Sequence, residues 1–243
     1  MSGERIVLAG AADGNASRLV QATARLGEAH LGPHALIGGL AVMCRLAAVH
    51  RATQDVDTVA ETTAPTAVEV ITSSIGSPDP SNAGRVIVDG VKIDVIDTES
   101  FRYEDLDGVD AGDRLFVVSH RFALDTATET VIVAGEVTAS IRVATPAALV
   151  AMKSGALLGG RTREPRKRAS DLYDLFRLAL EYDRGGGIAE TLRGSCRGSV
   201  RELRGWVVAK LHGMMHRCRR RCRFVTSRTT RMRRSHGAPQ MSA

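Results

Sequence analysis

The chain has 243 residues, of which 44% are hydrophobic and 25% charged, with a formal net charge of +6. That composition can bury a sizeable core in one α+β domain with a helical appendage. No run approaches the ~20 apolar residues that span a bilayer, and the opening apolar run, Ile6 to Ala12, is too short and too soon interrupted by Asp13 to serve as a secretion signal. A chain without membrane-spanning helices, located in the cytoplasm, is therefore expected.

Arg5-Ile6-Val7-Leu8 reads as a strand running toward Gly10 and Gly14, which suggests a dinucleotide-binding oxidoreductase. The phosphate fingerprint of that class needs three glycines at close spacing, and here the third is missing and no parallel βαβ series follows. Residues 15–30 carry the apolar spacing of an amphipathic helix, with Leu19, Val20, Ala24 and Leu26 on one side. His34-Ala35-Leu36-Ile37 is a short apolar strand that enters Gly38-Gly39, and an apolar helix follows over 40–50. A strand, a glycine pair and a helix bring bare backbone amides close to phosphate oxygens.

Arg51-Ala52-Thr53-Gln54-Asp55-Val56-Asp57-Thr58-Val59 reads as a strand, and its period of two turns Asp55 and Asp57 to one face. Two converging carboxylates suit a hard divalent cation held jointly with a substrate phosphate. Residues 67–72 are expected as a strand and the Ser-, Pro- and Gly-rich stretch 73–84 as a loop. Arg85 to Asp97 reads as a hairpin closed by the two-residue turn Asp89-Gly90. Lys92 and Asp94 then share a face, Val91, Ile93 and Val95 take the core side, and Asp94 becomes the third carboxylate. The register also sets Arg85 opposite Asp94, as its expected ion-pair partner when no metal is bound. Asp97 has the wrong parity or lies past the strand end. Further strands are expected at 115–119, 130–134 and 140–143. A helix then starts at Pro146, capped by Thr145 and carrying Lys153, and a second helix contains Lys167 to Leu175.

In this order of elements the chain resembles the DNA polymerase β-like nucleotidyltransferase superfamily, and within it the AbiEii/AbiGii toxins of abortive-infection and type IV toxin–antitoxin systems. The superfamily pattern is a glycine pair or Gly-Ser, a helix, a carboxylate pair and a third carboxylate on a later strand. This chain has Gly-Gly in place of Gly-Ser and a slightly long interval between Gly39 and Asp55, and both departures resemble the AbiEii-like branch. Thr145 to Lys153, the Arg-rich stretch after it and Lys167 to Leu175 are similar to that branch's lysine-bearing helix, basic connector and Asp-containing helix. The resemblance spans about residues 33–182.

The resemblance implies an α+β, polymerase β-like core of mixed sheet and helices over residues 1–143, and a helical region over 144–212 that completes the nucleotide site. It implies a metal-dependent enzyme that moves a nucleoside monophosphate from an NTP to a hydroxyl acceptor. Asp55, Asp57 and Asp94 would hold Mg²⁺ or Mn²⁺, with Asp94 also taking a proton. Gly38 and Gly39 would meet the triphosphate, Lys153 and Lys92 would neutralise its charge, and Arg51 and Thr53 would shape the loop edge. Lys153 would contact phosphate, with Asp171 as a further active-site carboxylate paired with it. Asp174 lies three residues on, with Leu172, Leu175, Phe176, Leu178 and Ala179 as the helix's apolar side, and only Asp171 matches the family position. The resemblance also implies RNA or tRNA as acceptor and a cognate antitoxin as partner. A catalytically inactive binding module on the same fold is the alternative.

Charge is unevenly distributed along the chain. Residues 184–243 hold 15 Lys and Arg against Glu190 and Glu202, whereas the preceding 183 residues hold 18 basic and 25 acidic side chains. Two readings of the Arg-rich tail, 213–243, stand side by side: an RNA-binding arm, and a disordered extension whose composition looks like a shifted reading frame. His212, His216, Cys218 and Cys222 have helical spacing but no Cys-x-x-Cys knuckle, and the arginines around them disfavour zinc. Cys44 reads as a small core residue.

Overall fold

In the computed structural model, residues 4–8, 14–100, 103–158, 164–183 and 185–194 are described. The chain divides into two compact units, Met1–Ser195 and Cys196–Ala243, and every described residue belongs to the first. The Arg-rich tail and the His212–Cys222 set lie outside the described residues.

The elements run β1 (Glu4–Val7), α1 (Asn15–Glu28), β2 (His34–Ile37), α2 (Gly38–Leu46), β3 (Asp55–Glu61), α3 (Ala67–Ser74), β4 (Ser77–Pro78), β5 (Arg85–Val88) and β6 (Val91–Thr98). A 3-10 turn, Tyr103–Leu106, leads to α4 (Ala111–Thr126), β7 (Thr128–Ala134), β8 (Val137–Val143), α5 (Pro146–Leu158), α6 (Pro165–Tyr182) and α7 (Gly187–Gly194). The strands form one mixed sheet in the order β1-β7-β8-β2-β3-β6-β5-β4. β3 pairs with β6 in parallel and with β2 antiparallel, so the strand bearing Asp55 and Asp57 lies well inside the sheet. This is the expected α+β arrangement of a mixed sheet flanked by helices.

Helix α1 packs across β7 and β8, while α4 packs against α5 and meets β2, β3 and β6. Leu19, Leu26, Leu36, Ile93, Leu149 and Leu178 are fully enclosed between these layers, each side chain contributing about 1.5–3 kcal/mol of burial. Arg45 is also buried. Its guanidinium donates to the carbonyl of Ala144 at 2.9 Å and to Glu4 at 2.9 Å, and the Tyr182 hydroxyl donates to its carbonyl.

Two expected strands are helices. Residues 67–72 form α3 because Thr66 and Glu69 make a reciprocal capping box, the Glu69 amide donating to Thr66 Oγ1 and the Thr66 amide to Glu69 Oε2. That local signal outweighs the strand preference of Val68, Val70 and Ile71. Residues 115–119 lie in α4, which Asp110 caps by accepting from the Gly112 amide. Its buried positions, Leu115, Val118, Ser119, Ala123 and Leu124, follow a helical period that the short run Leu115 to Val118 hides. The expected strand from Arg51 begins only at Asp55, the residues before it forming an irregular approach, and α2 stops at Leu46 where Ala47 turns left-handed at φ 49°. The hairpin forms as expected, with Asp89 and Gly90 both at positive φ.

Candidate active site

On β3 the side chains alternate: Val56 and Thr58 are buried on one face, and Asp55 and Asp57 are half-buried on the other. Parallel pairing puts Asp57 beside Asp94 and Asp55 beside Lys92 on β6. One carboxylate oxygen from each of Asp55, Asp57 and Asp94 lies within 4.8 Å of the other two. Arg85 faces Asp94 across the hairpin and grips it with both ends of its fork, Nε to Oδ1 at 2.5 Å and Nη2 to Oδ2 at 3.0 Å. Thr53 donates its hydroxyl to Asp55 Oδ1 at 3.2 Å.

Three carboxylates this close repel one another. Burial first, then Asp55, and more weakly Asp94, raise the Asp57 carboxyl to about 6 against the pull of Lys153 and Lys167. The same donor set, oxygen-only and anionic, matches the preference of a hard divalent cation.

The glycine pair is pressed against this cluster. Gly38 has φ +67°, and a Cβ there would stand 1.9 Å from Asp57 Oδ2. A Cβ on Gly39 would stand 2.7 Å from Arg51 Nη2 and 2.9 Å from Thr53 Oγ1. The amino end of α2, which begins at this pair, has no side-chain cap, so its first amides are open to an anion.

Lys153 projects from α5 to Asp171 Oδ1 at 2.7 Å, as expected, and also to Asp174 Oδ2 at 3.0 Å. Asp174, which does not match the family position, is fully buried and heavily bonded. Arg51 Nε and Nη2 both donate to it at 2.7 Å, and His50 Nε2 donates at 2.8 Å. Burial pushes its carboxyl up, but the hydrogen bonds of Arg51 and His50 and the charge of Lys153 outweigh this and hold it well below the usual carboxylate range. The helix therefore buries Asp171, Asp174, Leu175 and Leu178, while the expected apolar positions Leu172 and Phe176 are exposed.

Of the expected residues, Gly38, Asp57, Lys153 and Asp171 line one cleft. Arg51 spends its guanidinium on Asp174, and Lys92 stands exposed on β6. Lys167 also lines the cleft. It is four residues before Asp171, one helical turn away on the same face, a spacing readable in the sequence. Phe116 and His120 of α4 line the cleft too, and no sequence motif marks them.

Among solved structures the chain is similar to the crystal structure of an antigenic nucleotidyltransferase-like protein from Paracoccidioides brasiliensis, at 16% identity, covering 77% of this chain and 89% of that one, with a TM-score of 0.42. No curated protein matches the chain. The family model described as nucleotidyl transferase AbiEii toxin, type IV toxin–antitoxin system, matches residues 22–204, which takes in the glycine pair, all three clustered carboxylates and the Lys153–Asp171 pair. The chain is a nucleotidyltransferase and belongs to this AbiEii toxin family.

Proposed function

We propose that the enzyme transfers a nucleoside monophosphate from an NTP to a hydroxyl of RNA, the 3′ end of tRNA being the favoured acceptor, and that it acts as a toxin restrained by a cognate antitoxin. The observation that carries this reading is the cluster of three carboxylate oxygens, all within 4.8 Å of one another, beside the uncapped start of α2. The exposed run Arg166, Lys167 and Arg168 at the start of α6 supports a polyanionic acceptor. No helix among the described residues is long and apolar enough to cross a membrane, and we take the site of action to be the cytoplasm.

Asp55, Asp57 and Asp94 would hold Mg²⁺ or Mn²⁺. Such ions supply charge neutralisation for the entering and leaving oxygens of an in-line displacement. Gly38 and Gly39 offer backbone amides to the terminal phosphates. Lys153, held by Asp171 and Asp174, neutralises charge that builds on the phosphates as the transition state forms. The acceptor oxygen attacks the α-phosphorus, the bond to the bridging oxygen of the β-phosphate breaks, and pyrophosphate leaves. Asp94, oriented by Arg85, accepts the proton of the hydroxyl. Arg51 and Thr53 hold the approach to β3 in shape.

The test incubates the purified protein with Mg²⁺ or Mn²⁺, total tRNA and each NTP in turn, labelled at the α-phosphate, beside Asp55→Ala. Label on tRNA that disappears in the variant supports the reading. Label on the protein itself redirects it to a protein acceptor, and no label under any condition favours a binding module.

A further inference from the structure

The cleft combines ionisable and apolar lining. Asp57, Lys153, Lys167 and Asp171 line it together with Gly38. Ile96, Phe116, Met152 and Ala156 add apolar surface. The rings of Phe116 and His120 lie together, centroids 4.0 Å apart and tilted by 39°. His120 Nδ1 donates to the Phe116 carbonyl at 2.7 Å, which fixes the imidazole against its neighbour. Small residues keep the space open. A Cβ on Gly155 would come within 3.1 Å of Leu115 Cγ, so that glycine lets α4 and α5 approach closely, and it lines the cleft together with Ala156.

We propose that the half-buried ring of Phe116 on α4, with Met152 and Ala156 of α5, forms the nucleobase slot of this cleft, His120 backing the ring from the interior. The inference rests on the NTP reading above and adds to it the residues that recognise the nucleoside. An NTP joins a highly charged triphosphate to a flat aromatic base, and this cleft offers Gly38 and Lys153 to the first and the Phe116 ring to the second. Recognition by aromatic and aliphatic faces uses the π-face common to every base, so the slot separates a nucleotide from a bare polyphosphate and discriminates weakly among the four bases. Loss of such a contact weakens binding on the order of tenfold.

The experiment is calorimetric titration of the full chain in Mg²⁺ with ATP, GTP, CTP and UTP separately and with inorganic tripolyphosphate. Wild type is compared with Phe116→Leu, which keeps apolar volume and removes the aromatic face, with Ala156→Trp, which fills the slot, and with Lys153→Ala, which removes the phosphate-facing charge. The expected result is that wild type binds nucleotides at least about tenfold more tightly than tripolyphosphate. Phe116→Leu and Ala156→Trp should lose that margin while binding tripolyphosphate as wild type does, an affinity that also reports an intact fold. Lys153→Ala should weaken both kinds of ligand. A margin that survives in both slot variants, or is absent from wild type, overturns the slot and leaves the triphosphate site standing. Wild type that binds neither nucleotide nor tripolyphosphate overturns the NTP reading and the slot with it.

Discussion

Asp57 occupies the space that a side chain on Gly38 would fill, with Oδ2 only 1.9 Å from the position of the missing Cβ. The glycine is thus required twice, by its left-handed φ and by the carboxylate lying over it. Gly38→Ala should displace Asp57 and cut transfer on the order of a hundredfold, with a stability loss of about 1–3 kcal/mol. Label transfer and denaturant unfolding measure the two effects, and a fully active variant would refute the account.

Asp174 gives a second prediction. It is the shared anion of Arg51, His50 and Lys153, and Asp174→Ala should destabilise the protein by about 3–5 kcal/mol because buried cations lose their partner. Its folded value lies below the ordinary 3.8, so its charge contributes stability fully above that value, and the contribution fades as pH falls below it. Denaturant titrations of wild type and Asp174→Asn should therefore show a stability gap that is flat near neutrality and narrows below about pH 4. A gap of constant size down to acid would show that shape, not charge, is what Asp174 supplies.

The carboxylate cluster has the opposite sign. Asp57 titrates at about 6 in the folded chain against an ordinary 3.8, so without metal the folded state holds its proton more tightly than the unfolded one. Stability should fall as pH rises through that window, by up to about 3 kcal/mol. Asp57→Asn should accordingly be more stable than wild type near neutrality and equal to it near pH 4, while abolishing transfer. Mg²⁺ should raise the melting temperature of wild type and leave the variant unmoved, because only the intact cluster binds the ion. Thermal unfolding at several pH values, with and without Mg²⁺, tests both statements; equal melting curves for the two proteins near neutrality would remove the repulsion argument.

Lys153→Ala should lower NTP use by reducing both apparent affinity and rate, since the ammonium acts on phosphate charge in binding and in the transition state. Steady-state rates at varied NTP provide the measurement. Unchanged KM and kcat in a folded variant would take Lys153 out of the site.

Much of this arrangement is legible in the sequence because it depends on short-range rules. Strand alternation puts Asp55 and Asp57 on one face, and the Asp89-Gly90 turn alone predicts that Arg85 meets Asp94, as the register shows. What the sequence conceals depends on tertiary partners. Asp174 receives no role from the sequence because nothing local announces that Arg51 and His50, more than 120 positions away, will bond to it. Phe116 and His120 are obscured for a related reason. The run Leu115 to Val118 mimics a strand, and only the cap at Asp110 and the packing of α4 on α5 make it a helix wall.

The grip of Asp174 on Arg51 and His50 also bears on how the molecule comes apart. The segment that delivers β3 to the sheet is fastened by a helix that begins more than a hundred residues later, so neither portion can unravel without stranding the other's charges. Sheet and C-terminal helices of this unit should melt in one cooperative transition, and a protease that cuts between α5 and α6 should loosen the carboxylate strand although it lies far away along the chain.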